Sequence, residues 1–219
     1  MSPTPKALVL IADGTEEMEF TITYDTLVRG GIIATSAYVS TPPTSPSTST
    51  ATTVAAGGQG QVTLINPPTA KCSRGVRILP DIYFEPSGVG FGPDKYDLLV
   101  IPGGAKGAET MSNDAGVQKL VREYLDKGKY VGMICAGSLA AKTSNLPNQP
   151  LTSHPSVKAE LDQSFAYSED PVVVSGNLVT SRGPGTTFPF ALTLVEMLVG
   201  PEKRKEITGP MIFPSNTPW

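Results

Sequence analysis

Apolar residues along this chain come in short unbroken runs rather than in strict alternation. Lys6-Ala-Leu-Val-Leu-Ile-Ala12, Tyr96-Asp-Leu-Leu-Val-Ile101 and Lys129-Tyr-Val-Gly-Met-Ile134 are three such runs, the pattern of strands buried on both faces. Ile32 to Val39 reads as a further strand. Between the runs the period changes. Asp13-Gly-Thr-Glu16 resembles a capping box and Gly30-Gly31 a stop, so the spacing predicts a helix over roughly residues 15 to 29. Val117, Leu120, Val121 and Leu125 share one face of a helix expected from Asn113 to Lys127, stopped by Gly128. Val76 to Leu79 is a short alternating strand ended by Pro80-Asp81, and Val172 to Thr180 holds a Ser-Gly-Asn hairpin signal. An apolar helix follows from Phe188 to Leu198, and the residues past Gly200 say little. This order predicts an α/β sandwich with a mostly parallel sheet, helices on both faces and one domain spanning 1–219.

One segment departs from the pattern. Ser40 to Thr53 is almost entirely Ser, Thr, Pro and Ala, and Gly57-Gly-Gln-Gly60 follows. Such a composition cannot bury enough apolar surface to offset its ordering entropy, so 40–71 is expected to be a mobile surface insertion. Gln61 to Ile65 is a candidate short strand inside it.

Charge and cysteine content narrow the function classes. Of the 219 residues, 17 are Lys or Arg and 20 are Asp or Glu, a net charge of -3 with no basic run. Nucleic acid and anionic membranes are therefore not expected partners. The apolar run after Lys6 is cut short by Asp13, and no stretch approaches the ~18 apolar residues of a membrane span. Two cysteines do not make a disulfide framework, and thiols kept as thiols suggest a reducing compartment. The expected location is the cytoplasm, with the nucleus also open to the protein.

Candidate chemistry lies where strands end. The run from Lys129 stops at Cys135, and small residues opening a helical stretch follow at once. A thiol at such a turn meets the positive end of a helix dipole, which lowers its pKa and favours thiolate. An inert, buried Cys135 is the equally weighted alternative. Pro102-Gly103-Gly104 also follows a strand directly, and its spacing fits neither GxGxxG nor GxxxxGK[ST]. Glycines there turn the chain tightly or aim backbone N–H groups at a ligand. Glu19 falls just beyond the first strand, where an acid complements a helix dipole. Ser181-Arg-Gly-Pro-Gly-Thr186 closes another strand. Ligands in parallel sheets bind beyond the carboxyl ends of strands, which gathers Glu19, Gly103, Gly104, Cys135, Gly183 and Pro184 on one edge. His154 is the only histidine; it reads first as structural, and any mechanism needing imidazole must use it. Cys72 reads as a small packing residue.

The residues Ala7 to Glu19, Cys72-Ser-Arg74, Pro102-Gly-Gly104, Ile134-Cys-Ala-Gly137, Thr152-Ser-His-Pro155 and Ser181 to Thr186 together resemble the DJ-1/PfpI superfamily, within it the branch of the human parkinsonism-associated protein deglycase. The resemblance covers nearly the whole chain outside the insertion and the C-terminal tail. It implies a flavodoxin-like fold, commonly a homodimer, with Cys135 as reactive thiol and Glu19 as its partner acid. It also implies an oxyanion site at the backbone N–H groups of Gly104 and Ala136, and a histidine, His154, near the nucleophile. Asp25, Arg29 and Arg74 match polar residues of the dimer contact and site surroundings. Two departures stand out: Ala136 occupies the place of the histidine of peptidase-like members, and Ser138 that of a proline usual among relatives of the deglycase.

The activity implied is cofactor-independent glyoxalase chemistry on methylglyoxal or glyoxal, giving lactate or glycolate, or the same chemistry on aldehyde adducts. No metal or glutathione is called for, and two cysteines with one histidine make a poor zinc site. Two alternatives carry different expectations. One is a redox-sensing, chaperone-like protein acting through oxidation of Cys135. The other is a specialised hydrolase or hydratase acting on another small electrophile.

Overall fold

The computed structural model describes residues 3–40, 69–85 and 90–217. Most of the 40–71 insertion, with the strand expected at Gln61 to Ile65, lies outside the described residues. Strand β1 (Lys6–Ile11) is buried at every position after Lys6. Full burial is worth about 1.5–3 kcal/mol for each large apolar side chain, so Leu8, Leu10 and Ile11 commit β1 to the middle of the sheet. Helix α1 (Glu17–Arg29) follows, then β2 (Ile33–Tyr38). The helix is capped by Glu16 rather than from Asp13, as the capping-box pattern suggested: the Glu16 carboxylate accepts the Glu19 N–H at 2.9 Å. Thr15 is occupied elsewhere, its hydroxyl accepting the Ala12 N–H.

Two-residue strands β3 (Ala70–Lys71) and β4 (Arg77–Ile78) pair antiparallel apart from the main sheet, and β5 (Ile82–Tyr83) lies at its edge. After β6 (Leu98–Ile101) comes a helix that the sequence pattern did not predict, α2 (Ala105–Asn113), and the helix expected from Asn113 to Lys127 is α3 (Ala115–Asp126). Asp114 separates the two. It is extended, at φ -76° and ψ 121°, and its carboxylate caps α3 by accepting the Val117 N–H at 2.9 Å. A side chain that satisfies a free helix N–H favours a new start over continuation. Strand β7 (Tyr130–Ile134) runs into a 3-10 turn at Cys135–Ser138 and the short helix α4 (Leu139–Thr143). Next come β8 (Pro150–Leu151), α5 (Lys158–Leu161) and β9 (Ala166–Tyr167). The predicted hairpin is β10 (Val172–Ser175) and β11 (Leu178–Ser181). Helix α6 (Thr187–Val199) extends the predicted helix by one residue at each end, and the uninformative tail begins with α7 (Pro201–Met211).

The seven-stranded sheet has the order β10-β11-β7-β6-β1-β2-β5 and is parallel except at β10. Helices α1 and α6 pack together, and α2 packs with α3 and α4, giving the α/β layers expected. Register decides what the site receives. Ile101 pairs with Met133 and Ser181 with Ile134, so Gly103, Cys135 and Arg182 stand at one level just past the sheet.

Candidate active site

Cys135 is the first residue past β7 and is held at φ 61°. A side chain in this left-handed region costs on the order of 1–3 kcal/mol, so the surrounding packing must impose it. Cys135 in this turn remains 8% exposed. Glu19, in the first turn of α1, is fully buried. Gly103 lies between them. Its N–H donates to Glu19 Oε2 at 2.7 Å. A Cβ on Gly103 would fall 2.5 Å from Cys135 Cβ and 2.7 Å from Glu19 Oε2; only a bare α-carbon fits. The neighbouring Gly104 needs glycine for a second reason, since its φ of 83° is joined to an approach of 2.2 Å between a would-be Cβ and Gly14 O. Glu16 N–H donates to Gly103 O at 3.0 Å, locking the turn after β6 to the turn after β1.

The electrostatics couple acid and thiol. Burial pushes Glu19 up to about 7, against the Cys135 thiol and the Gly103 N–H, which favour its charge. Glu19 Oε1 is buried without a hydrogen bond of ordinary geometry, a costly place for a full negative charge. Burial, together with the Glu19 charge, pushes the Cys135 thiol up to about 12, while the N–H groups of Ala136 and Gly104 pull the other way. The lowered thiol pKa expected from a helix dipole is therefore corrected. The residues after Cys135 form a 3-10 turn and a five-residue helix, too short for a sizeable dipole, and desolvation outweighs it. Adjoining negative charges are disfavoured in a buried site, so charge on either group holds the proton on the other.

The other expected residues divide into near and far. His154 N–H donates to Cys135 O at 3.3 Å. The His154 ring caps a 3-10 turn, with Nδ1 accepting the Ser156 N–H at 3.2 Å and lying 2.8 Å from Ser156 Oγ. That bond leaves Nε2 as the N–H of the neutral ring. The α-carbon of Gly183 faces this ring, 3.6 Å separating a would-be Cβ from His154 Cδ2. Pro184 opens the turn that Thr186 closes by accepting the Gly183 N–H at 3.1 Å. Asp25 and Arg29 are not brought to the thiol; they pair with each other at 2.6 Å, about half exposed, toward the far end of α1. Arg74 enters through its backbone, its N–H donating to Glu17 Oε1 at 2.8 Å. Cys72 is buried, as a packing residue would be.

Three residues with roles here escaped sequence reasoning. Glu16 caps α1, and Glu17 gathers the Cys72–Arg74 turn by accepting from Ser73 Oγ and Arg74 N. Ser138, visible only as a departure, is fully buried and donates its hydroxyl to Thr152 O at 2.9 Å. With the His154–Cys135 bond it clamps the histidine segment to the elbow at two points. Among the described residues no three His, Cys, Asp or Glu side chains are grouped to hold a metal ion, and no helix is long and apolar enough to cross a membrane.

Residues 5–197 match the profile described as the DJ-1/PfpI family. The Schizosaccharomyces pombe protein named glutathione-independent glyoxalase DJ-1 is 36% identical over 213 residues, covering 95% of this chain and 99% of that protein. The Caenorhabditis elegans glutathione-independent glyoxalase DJR-1.2 is 30% identical over 213 residues, covering 96% and 98%. The solved structure of S. pombe DJ-1 superposes with a TM-score of 0.80 at 34% identity, covering 95% of this chain and all of that one.

Proposed function

We propose that this chain, which belongs to the DJ-1/PfpI family, is a glutathione-independent glyoxalase that converts small 2-oxoaldehydes to 2-hydroxy acids. The observation that carries the reading is the convergence of Glu19 and Cys135 on the bare α-carbon of Gly103. Cys135 Sγ attacks the aldehyde carbon of methylglyoxal as the Glu19 carboxylate takes the thiol proton. The carbonyl electron pair moves to oxygen, which the N–H groups of Gly104 and Ala136 receive. Glu19 returns its proton to that oxygen, completing a hemithioacetal. As carboxylate again, it removes the C1 hydrogen to give an enediol and delivers it to C2, while the C1 hydroxyl proton passes to the C2 oxygen. C1 is oxidised and C2 reduced, so no outside oxidant or reductant enters. Water then cleaves the thioester to lactate and free thiol. A carboxyl near 7 suits a group that must both take and give a proton at neutral pH.

The test is lactate formation from methylglyoxal with glutathione absent and chelator present. Turnover is expected, and Cys135→Ala is expected to remove it. Undiminished turnover by that variant overturns the nucleophile.

A homodimer is part of this reading. Phe20, Tyr24, Val28 and Ile78 line a shallow, largely apolar groove on the outer side of α1, and Met18 and Val28 are each 50% exposed. Asp25 lines the same groove and pairs with Arg29. Sedimentation at twice 23.0 kDa is the expected result; a monomer across micromolar concentrations would refute it.

A further inference from the structure

Glu16, Glu17 and Glu19 stand together at the start of α1, and each carboxyl has a different task. Glu19 meets the thiol, and Glu17 gathers the Cys72–Arg74 turn. Glu16, only 8% exposed, is bonded to two parts that the reaction needs. Its Oε2 accepts the N–H of Glu19 at 2.9 Å, and its own N–H donates to Gly103 O at 3.0 Å. Since the Gly103 N–H donates to Glu19 Oε2 at 2.7 Å, these hydrogen bonds close a ring through Glu16, Glu19 and Gly103. Displacing one member displaces the others.

The bond to Gly103 O reaches further than the oxygen it ends on. Gly103 O and the Gly104 N–H belong to one planar peptide unit and point in opposite directions, so fixing the oxygen fixes the line of the N–H. That N–H favours negative charge on the Cys135 sulfur. Glu16 can come this close because Gly104 has no Cβ, which would lie 2.5 Å from Glu16 N. Charge acts in the same place. The titratable groups that face Glu19 are the Cys135 thiol from the elbow, which favours carboxylate, and Glu16, which favours carboxyl. Glu16 also acts on the Cys72 thiol between β3 and β4, together with Glu17 and Asp13, and all of these acids carry the same sign. Among the described residues Glu16 takes part in no ion pair.

We propose that Glu16 is a positioning residue for the proton transfers of Glu19: through this ring it holds the acid and the Gly104 N–H in place, and it keeps a negative charge beside the acid. It acts through Glu19 and Gly104, and the bond changes at C1 and C2 are those already given. The proposal rests on the glyoxalase reading for its chemistry, and one of its tests needs no turnover.

Glu16→Gln keeps an oxygen for the Glu19 N–H and removes the charge. Relieved of a like charge, Glu19 should hold its proton about five-fold less tightly. Carbon-13 NMR of the Glu19 carboxyl, identified by its loss in Glu19→Gln, should then show titration at lower pH. The acid limb of kcat/KM for methylglyoxal should move the same way, because the reaction begins with Glu19 as carboxylate. Glu16→Ala removes cap and charge together, and kcat should fall about ten-fold or more with KM nearly unchanged. Asp114→Ala strips the same kind of cap from α3, which brings no residue to the thiol; it should lower the urea midpoint and leave kcat and the pH profile alone. A Glu19 titration unmoved by Glu16→Gln overturns the proposal. So does a kcat for Glu16→Ala that equals the native value or falls no further than that of Asp114→Ala. If the native protein turns over no methylglyoxal, the glyoxalase reading falls and the NMR titration alone decides the role of Glu16.

Discussion

Glu19 and Cys135 belong to turns 116 positions apart in the chain, yet both press on the α-carbon of Gly103, within 2.7 Å and 2.5 Å of where a side chain would begin. The carboxyl and the thiol thereby share a site in which one negative charge is tolerated and two are not. The consequences can be measured.

Glu19 links stability to pH. Its folded pKa, about 7, lies above the ordinary 4.5. Below pH 4.5 the acid is neutral in both states and nothing is lost; from 4.5 to about 7 the unfolded chain ionises while the folded one keeps its proton, so stability falls across that window and levels off above it. The loss is on the order of 3 kcal/mol. Urea unfolding should show this decline in the native protein and a flatter profile for Glu19→Gln. Parallel profiles would show that the carboxyl is not held neutral by its surroundings.

Gly103→Ala should damage both partners. The added methyl meets Cys135 Cβ and Glu19 Oε2 inside contact distance, and overpacking of this kind costs about 1–3 kcal/mol. Displacing reacting groups by an ångström lowers turnover about 100-fold. Thermal unfolding together with lactate production from methylglyoxal measures the two effects; a fully active variant would mean that the turn can give way.

Strain at the elbow is tested by comparing two inactive variants. With φ at 61°, Cys135→Gly relaxes the backbone and Cys135→Ala does not. The glycine variant should be the more stable by about 1 kcal/mol. An alanine variant of equal or greater stability would indicate that packing, rather than backbone conformation, dominates at this position.

Ser138→Ala removes the hydroxyl that ties the elbow to Thr152 O. A buried carbonyl left without its donor costs about 1–3 kcal/mol. Ser138 lies at φ -63°, inside the range of proline, so Ser138→Pro deletes the same bond while stiffening the unfolded chain and should lose less. Urea midpoints for the three proteins give the order; a proline variant less stable than the alanine variant would contradict it.

Much of this arrangement was legible in the chain itself. The unbroken runs at Lys6, Tyr96 and Lys129 announced strands buried on both faces, because only a covered parallel sheet accepts apolar side chains on both sides of a strand. Their order placed Glu19, Gly103, Cys135 and Gly183 at one edge, since successive parallel strands end on the same side. Helix α2 was missed because Ala105 to Asn113 offers too few large apolar side chains to set a period. The direction of the thiol's pKa was also beyond local reading. A dipole can be counted from nearby residues, whereas desolvation depends on what the rest of the chain packs around the sulfur.

By itself, then, the sequence determined the layered α/β fold and which residue types stand at the strand ends, because hydrophobic period and glycine position are local properties. Only tertiary structure decided that Glu19 and Cys135 meet across Gly103, that Ser138 and His154 clamp one segment to the elbow, and that Asp25 and Arg29 pair away from the thiol. Those are distances between side chains far apart in sequence, set by strand register and by packing that admits no atom at the α-carbon of Gly103.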